Sequence, residues 1–233
     1  MTRRELPARI PRESLPSPVL TPRHFEAMPH AIGLAALEIS CQRGGRTIYR
    51  DLSFRLAPGE ALLVTGPNGA GKTSLLRQIA GLLPLEGGAL RLEGGAPAAI
   101  PELCHYVGHS NAVKTSLSVA ENLAFWAEFL GDRRQSVAAA LAAFGLGALA
   151  DLPAGLLSAG QKRRLALARL LVATRPIWLL DEPQTSLDKA SLKLLDAAIE
   201  HHLATRGIAL VASHAEIGAK RAKHLPLGKE RVS

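Results

Sequence analysis

Cysteine is nearly absent from this 233-residue chain: Cys41 and Cys104 stand 63 positions apart, in no C-x-x-C or Cys/His ligand spacing. A disulfide framework or a zinc scaffold is thereby excluded. A long apolar run is missing too. The longest weakly polar stretch, residues 137–160, is rich in Ala and Gly, carries Asp151 and is broken by Pro153, so it does not read as a membrane span. No apolar run near the N-terminus resembles a signal peptide, which predicts a chain that stays in the cytosol. What is present suits a soluble globular fold: 47 % hydrophobic residues, a mean hydropathy of +0.12 and enough length for one sizeable core.

The net charge of +8 and the pI near 10 invite a nucleic-acid reading until the charge is located. Residues 1–33 set Arg3, Arg4, Arg9, Arg12 and Arg23 against Glu5, Glu13 and Glu26. Residues 219–233 set Lys220, Arg221, Lys223, Lys229 and Arg231 against Glu230. Six of the eight excess charges therefore lie at the two ends, and a basic binding face across the fold is not required. Basic tails near an anionic membrane surface fit this distribution better.

Residues 1–33 also hold six of the fifteen prolines and show no sustained apolar period, the mark of a disordered Pro/Arg-rich extension. Met28 lies just before the first patterned segment and is an alternative start. Residues 34–233 read as a single domain. Residues 37–40 and 52–56 alternate like half-exposed strands, while 61–64, 177–180 and 208–211 are short continuous apolar runs, the pattern of strands buried on both faces of a parallel sheet. Helical spacing fills the intervals. Residues 71–80 place Leu75, Leu76 and Ile79 on one side. A capping box, Ser118-Val119-Ala120-Glu121, opens a helix through Val119, Leu123, Trp126 and Leu130 that stops at Gly131. Residues 161–173 put Leu165, Ala168, Leu171 and Val172 inward and Lys162, Arg163 and Arg164 toward water; Leu192, Leu195, Ile199 and Leu203 mark one more helix. Strands alternating with helices predict an α/β fold with a parallel sheet.

Gly66-Pro67-Asn68-Gly69-Ala70-Gly71-Lys72-Thr73 fits G-x-x-x-x-G-K-[ST] between an apolar strand and a helix. Glycines let successive backbone N–H groups turn toward one anion, and the helix N-terminus adds partial positive charge. Lys72 would reach the β- and γ-phosphates of a nucleotide and the Thr73 hydroxyl would ligate Mg²⁺. A Gly-rich turn with a chance lysine is the bland alternative, and the flanking strand and helix weigh against it.

Residues 177–180 lead into Asp181 and Glu182. The carboxyl ends of parallel strands are where ligands bind in such sheets. Asp181 is placed to hold Mg²⁺ and Glu182 to orient attacking water or accept its proton. A solvated acidic turn before Pro183 would be the duller account, outweighed by the phosphate loop.

Leu157-Ser158-Ala159-Gly160-Gln161 opens a helix, with Ser158 as N-cap and Gly160 allowing an anion to approach. This LSAGQ, followed by Lys162-Arg163-Arg164 and lying 23 residues before Asp181, resembles the ATP-binding-cassette signature. The resemblance covers about residues 34–214. It implies a P-loop NTPase of RecA-like type with an antiparallel β subdomain and an α-helical signature subdomain at about residues 110–160. It also implies that two cassettes meet head to tail, each ATP held between Lys72 of one copy and Ser158 and Gly160 of the other, so that a homodimer forms on ATP and opens after hydrolysis. Ser186-Leu187-Asp188 falls at the D-loop lining that interface, and His214 matches the switch histidine that touches the γ-phosphate. His109 stands where most cassettes carry Gln, in Tyr106-Val107-Gly108-His109, and would orient water or Mg²⁺ and face the membrane partner. The aromatic that stacks on adenine is missing near Arg43; Arg43 or Tyr49 would substitute.

Only nineteen residues follow His214, so no regulatory C-terminal domain is expected, and the single phosphate loop requires a second copy. The segments GRTIYRDLSFRLAPGE, YVGHSNAVKTSLSVAENLAFW and LSAGQKRRLALARLLV together resemble the ATP-binding subunits of the cytochrome c maturation system, the haem exporters. That implies an ATPase peripheral to the cytoplasmic face of the inner membrane, docked on integral-membrane subunits through residues 109–155. Asn111 to Thr115 and the helix bearing Trp126 and Phe129 are candidates for that docking, although an aromatic pair at this spacing fits a core better than an interface. Direct haem binding is not expected, since Cys104-His105 is a lone dipeptide at a strand edge. Another small bacterial transporter cassette remains an alternative. So does a nucleic-acid-associated cassette ATPase, although the 109 residues between Lys72 and Asp181 hold neither a second cassette nor a long heptad insertion.

Overall fold

Residues 31–94, 99–130, 136–213 and 222–228 are described by a computed structural model. Two sheets share the core. Strands β1 (Gly33–Arg43), β2 (Arg46–Leu56) and β4 (Gly87–Glu93) form an antiparallel sheet in the order β2-β1-β4. Strands β3 (Ala61–Thr65), β5 (Cys104–Val107), β6 (Ile177–Asp181), β7 (Ile208–Ala212) and β8 (Lys223–Pro226) form a parallel sheet in the order β5-β6-β7-β3-β8.

The apolar runs are continuous because both faces of that parallel sheet are covered. Leu63, Trp178, Leu180 and Val211 point to one cluster, packed by the helices α2 (Val119–Phe129), α3 (Val137–Ala143), α4 (Ala159–Val172) and α5 (Lys189–Ala204). Leu62, Val64, Leu179 and Leu210 point to the other, packed by α1 (Lys72–Ile79) and the antiparallel sheet. Burying one such side chain stabilises the fold by about 1.5–3 kcal/mol before entropy is counted. The register sets Val64 and Asp181 on the same neighbour, Ala212 of β7, so the ends of β3 and β6 emerge at one level of the carboxyl edge.

The α-helical unit is α2 and α3 packed on α4. Its first helix starts where its capping box requires: Ser118 Oγ accepts from Glu121 N at 3.1 Å, and Glu121 accepts from Ser118 N at 2.7 Å. No helix among the described residues is long and apolar enough to cross a membrane.

Several expectations need correcting. Ile32, expected within the extension, is 2 % exposed and packs in the core among the described residues. Trp126 packs against the core, with the Arg169 guanidinium 4.8 Å from its ring centroid, but Phe129 is 70 % exposed and stacks on exposed Phe125. Phe125 and Phe129 lie four residues apart, on the side of α2 turned from Leu123 and Ala127. Arg163 does not face water: it is 2 % exposed. Two strands went unread: β4, although Leu90 and Leu92 alternate with Arg91 and Glu93 and pack on the core, and β8, a mostly exposed edge strand ending in Pro226 that carries no such pattern. Residues 1–30 and His214 lie outside the described residues.

Candidate nucleotide-binding and hydrolysis site

The loop after β3 turns into α1 at Gly71, whose φ of 99° lies in the left-handed region. A Cβ there would meet Ile48 Cγ2 at 2.4 Å, so both conformation and packing demand glycine. The loop wraps a cavity of about 330 Å³ lined by Ile48, residues 68–74, Asp181 and Glu182. Lys72 is largely buried, and its Nζ donates to the Gly66 and Pro67 carbonyls at 2.7 and 3.2 Å. That ammonium is thereby held against the loop between β3 and α1.

Across the cavity, Thr73 Oγ1 donates to Asp181 Oδ1 at 3.1 Å. Ser74 follows Thr73 and lines the cavity beside it. The other carboxylate oxygen of Asp181 receives a long 3.5 Å bond from the Tyr106 hydroxyl, which in turn accepts from Arg77 Nε at 3.3 Å. Burial pushes the Tyr106 phenol above its ordinary pKa, so it stays a donor.

Glu182 sits on a turn with φ 47°. Gln184 Nε2 donates to Glu182 Oε2 and to Ser213 Oγ, both at 2.8 Å, and so orients the carboxylate. Sequence reasoning missed Gln184, although its place two residues after the acid, beyond Pro183, was the available signal. It also missed the Tyr106–Arg77 relay, whose members come from separate elements.

Lys72, Thr73, Asp181 and Glu182 thus converge on one cavity with residues 68–71, while Gly66 and Pro67 carry the carbonyls that hold Lys72. Ser158, Gly160, Asp188 and His109 do not line it. Ser158 caps α4 in a reciprocal box with Gln161 (3.2 and 2.8 Å). Gly160 lies against the Ser186 carbonyl, 2.8 Å from where a Cβ would be. Asp188 caps α5 by accepting from Ser191 N at 2.7 Å, and the Ser191 hydrogen bonds hold its carboxyl below the ordinary value. His109 is exposed. Tyr49 is withdrawn from any base-stacking role, since it is buried and its hydroxyl donates to Gln78 Oε1; Ile48 lines the cavity in its place. His105 is 3 % exposed on the edge strand β5, its Nε2 is 2.8 Å from the Ala173 carbonyl, and burial pulls its pKa down to about 3. That ring is committed to the backbone.

Residues 49–185 match the family model described as ABC transporter. The chain belongs to the ABC transporter ATPases. Among curated proteins, it is 52 % identical over 186 residues to the cytochrome c biogenesis ATP-binding export protein CcmA of Bradyrhizobium diazoefficiens, covering 79 % of this chain and 93 % of that one. It is 49 % identical over 204 residues to the protein of the same name from Rhodospirillum rubrum, covering 85 % and 88 %. A solved putative ABC transporter ATP-binding protein from Pyrococcus furiosus shares the fold, with a TM-score of 0.73 at 24 % identity over 84 % of this chain and 97 % of that one. As an ABC ATPase of this group, the chain binds and hydrolyses ATP and serves as the ATP-binding subunit of a transporter with membrane partners.

Proposed function

We propose that two copies of this chain clasp Mg-ATP head to tail on the cytoplasmic face of the inner membrane and drive haem handling for cytochrome c assembly. The cavity that gathers Lys72, Thr73, Asp181 and Glu182 at one sheet edge carries the reading. The cytochrome c biogenesis relatives supply its transport context.

Thr73 Oγ1 and the Asp181 carboxylate are the hard oxygen donors that Mg²⁺ prefers, phosphate and water completing its shell. When bound there the ion would neutralise phosphate charge as the β–γ bond breaks. The N–H groups of residues 68–73 bind the phosphates and Lys72 reaches the terminal ones. Glu182, oriented by Gln184, holds the attacking water and accepts its proton. Ser158, Gly160 and Asp188, away from their own chain's cavity, serve the ATP of the second copy, and His214 and His109 complete the γ-phosphate and partner contacts. The membrane subunits dock on residues 109–155, where Phe125 and Phe129 are exposed.

Glu182→Gln tests the reading. In the membrane complex it should lower turnover by about 10²–10⁴-fold while ATP-dependent dimers accumulate. Undiminished turnover would remove Glu182 from the chemistry.

A further inference from the structure

Arg163 lies near the start of α4, five residues after Ser158, and is 2 % exposed. A guanidinium has five N–H groups, and each of them is used. Nε donates to Pro183 O at 3.1 Å, and one terminal nitrogen donates to Asp181 O and Glu182 O at 3.0 and 2.9 Å. The other donates to Gly108 O at 2.8 Å and to Asn111 Oδ1 at 3.2 Å. Three of these acceptors are the successive carbonyls of the turn that carries Glu182, and two belong to the loop that carries His109.

Successive carbonyls converge on one cation only if the backbone between them reverses, and Glu182 at φ 47° supplies that reversal. A left-handed non-glycine residue costs about 1–3 kcal/mol and persists only when its surroundings hold it. Arg163 holds this one through the carbonyls on both sides and its own. The same plane grips the 108–111 loop, so the loop and the turn cannot shift independently without breaking buried, charge-assisted hydrogen bonds. A helix anchored at Ser158 brings the plane there.

We propose that Arg163 is a positioning residue that sets the backbone under Glu182 and couples it to the 108–111 loop and to α4. The inference rests on Glu182 acting in hydrolysis, as proposed above. A purely structural strut would fit the burial alone. What points further is that every bond ends on one of two segments, one bearing the hydrolytic carboxylate and the other leading to the exposed His109.

The test measures ATP turnover, KM for ATP and thermal stability of the full chain for Arg163→Lys, Arg163→Gln, Asn111→Ala and Glu182→Gln, and for Arg163→Lys combined with Glu182→Gln. Lysine keeps the charge but cannot span both segments. We expect kcat to fall about tenfold or more in Arg163→Lys with KM changed less than about twofold, because misplacing the carboxylate leaves phosphate binding intact. In the Glu182→Gln background the lysine should cause no further loss, since its effect passes through that carboxylate. Asn111→Ala, which leaves the turn bonds untouched, should lower kcat about twofold to fivefold at unchanged melting temperature. Wild-type kcat in folded Arg163→Lys, or an equal loss with and without Glu182, overturns the proposal. If both Arg163 variants fail to fold, Asn111→Ala decides, and an unchanged kcat there overturns the coupling. Full turnover in Glu182→Gln would instead sink the hydrolytic reading itself.

Discussion

Thr73 Oγ1 donates to Asp181 Oδ1 across 3.1 Å, although 108 positions separate the two residues in the chain. The bond joins the first turn of α1 to the end of β6. Thr73→Val keeps the shape and removes the hydroxyl, so Asp181 would lose both a partner and a co-ligand for a hard cation. We expect the Mg²⁺ concentration for half-maximal ATPase to rise about tenfold or more, corresponding to about 1.4 kcal/mol, while nucleotide binding measured in chelator changes little. A magnesium titration of turnover, wild type against variant, reads this directly.

Gln184 Nε2 holds the Glu182 carboxylate with one 2.8 Å hydrogen bond. Removing its amide in Gln184→Ala withdraws one charge-assisted hydrogen bond from the carboxylate and one from Ser213. A bond of that kind is worth about 1.5–3 kcal/mol, and losing its orienting effect should lower kcat about tenfold with KM for ATP nearly constant. Steady-state kinetics that showed KM rising instead would place Gln184 in nucleotide binding.

The elements legible in the sequence were those whose local pattern agrees with their final surroundings. β3, β6 and β7 read as continuous apolar runs because helices cover one face of the sheet and the antiparallel sheet and α1 the other. α2 and α4 announced their starts through Ser118–Glu121 and Ser158–Gln161. Gly66 to Thr73 and Asp181-Glu182 stood out because each is a contiguous motif. The partners that converge only in space were not legible: Tyr106 and Arg77 on Asp181, Gln184 on Glu182, Arg163 on the turn beneath. Arg163 misled because three adjacent cations suggest a solvated face. Its own stripe, Arg163, Ala166, Leu167 and Leu170, is buried throughout. Phe129 misled in the opposite sense, since spacing along a helix does not tell which apolar side chains a neighbour will cover.

Gly160 allows α4 to start directly against the backbone of the 186 turn. In Gly160→Ala the new Cβ would stand 2.8 Å from Ser186 O, a contact that only backbone movement relieves. Overpacking of this kind costs about 1–3 kcal/mol. We expect a lower melting temperature for the full chain without nucleotide, and an unchanged one would show that the two segments separate freely.

His202 of α5 stacks on Trp178 of β6 with ring centroids 3.9 Å apart and planes 10° from parallel. Its Nε2 lies 3.1 Å from the Ile208 carbonyl, and burial pulls its pKa down to about 4, with neighbouring His201 acting in the same direction. The unfolded chain therefore binds this proton more readily than the folded one below the ordinary histidine value of 6.5. Stability is present in full above that value and is lost as the pH falls toward the folded pKa, by on the order of 2 kcal/mol at pH 5 for this residue. His202→Phe keeps the stack and removes the proton site. It should melt lower at pH 7.5, because the Ile208 carbonyl loses its partner, yet show a shallower decline in melting temperature between pH 7.5 and pH 5. Equal slopes in the two proteins would assign the acid sensitivity elsewhere, first to His105, which burial depresses further still.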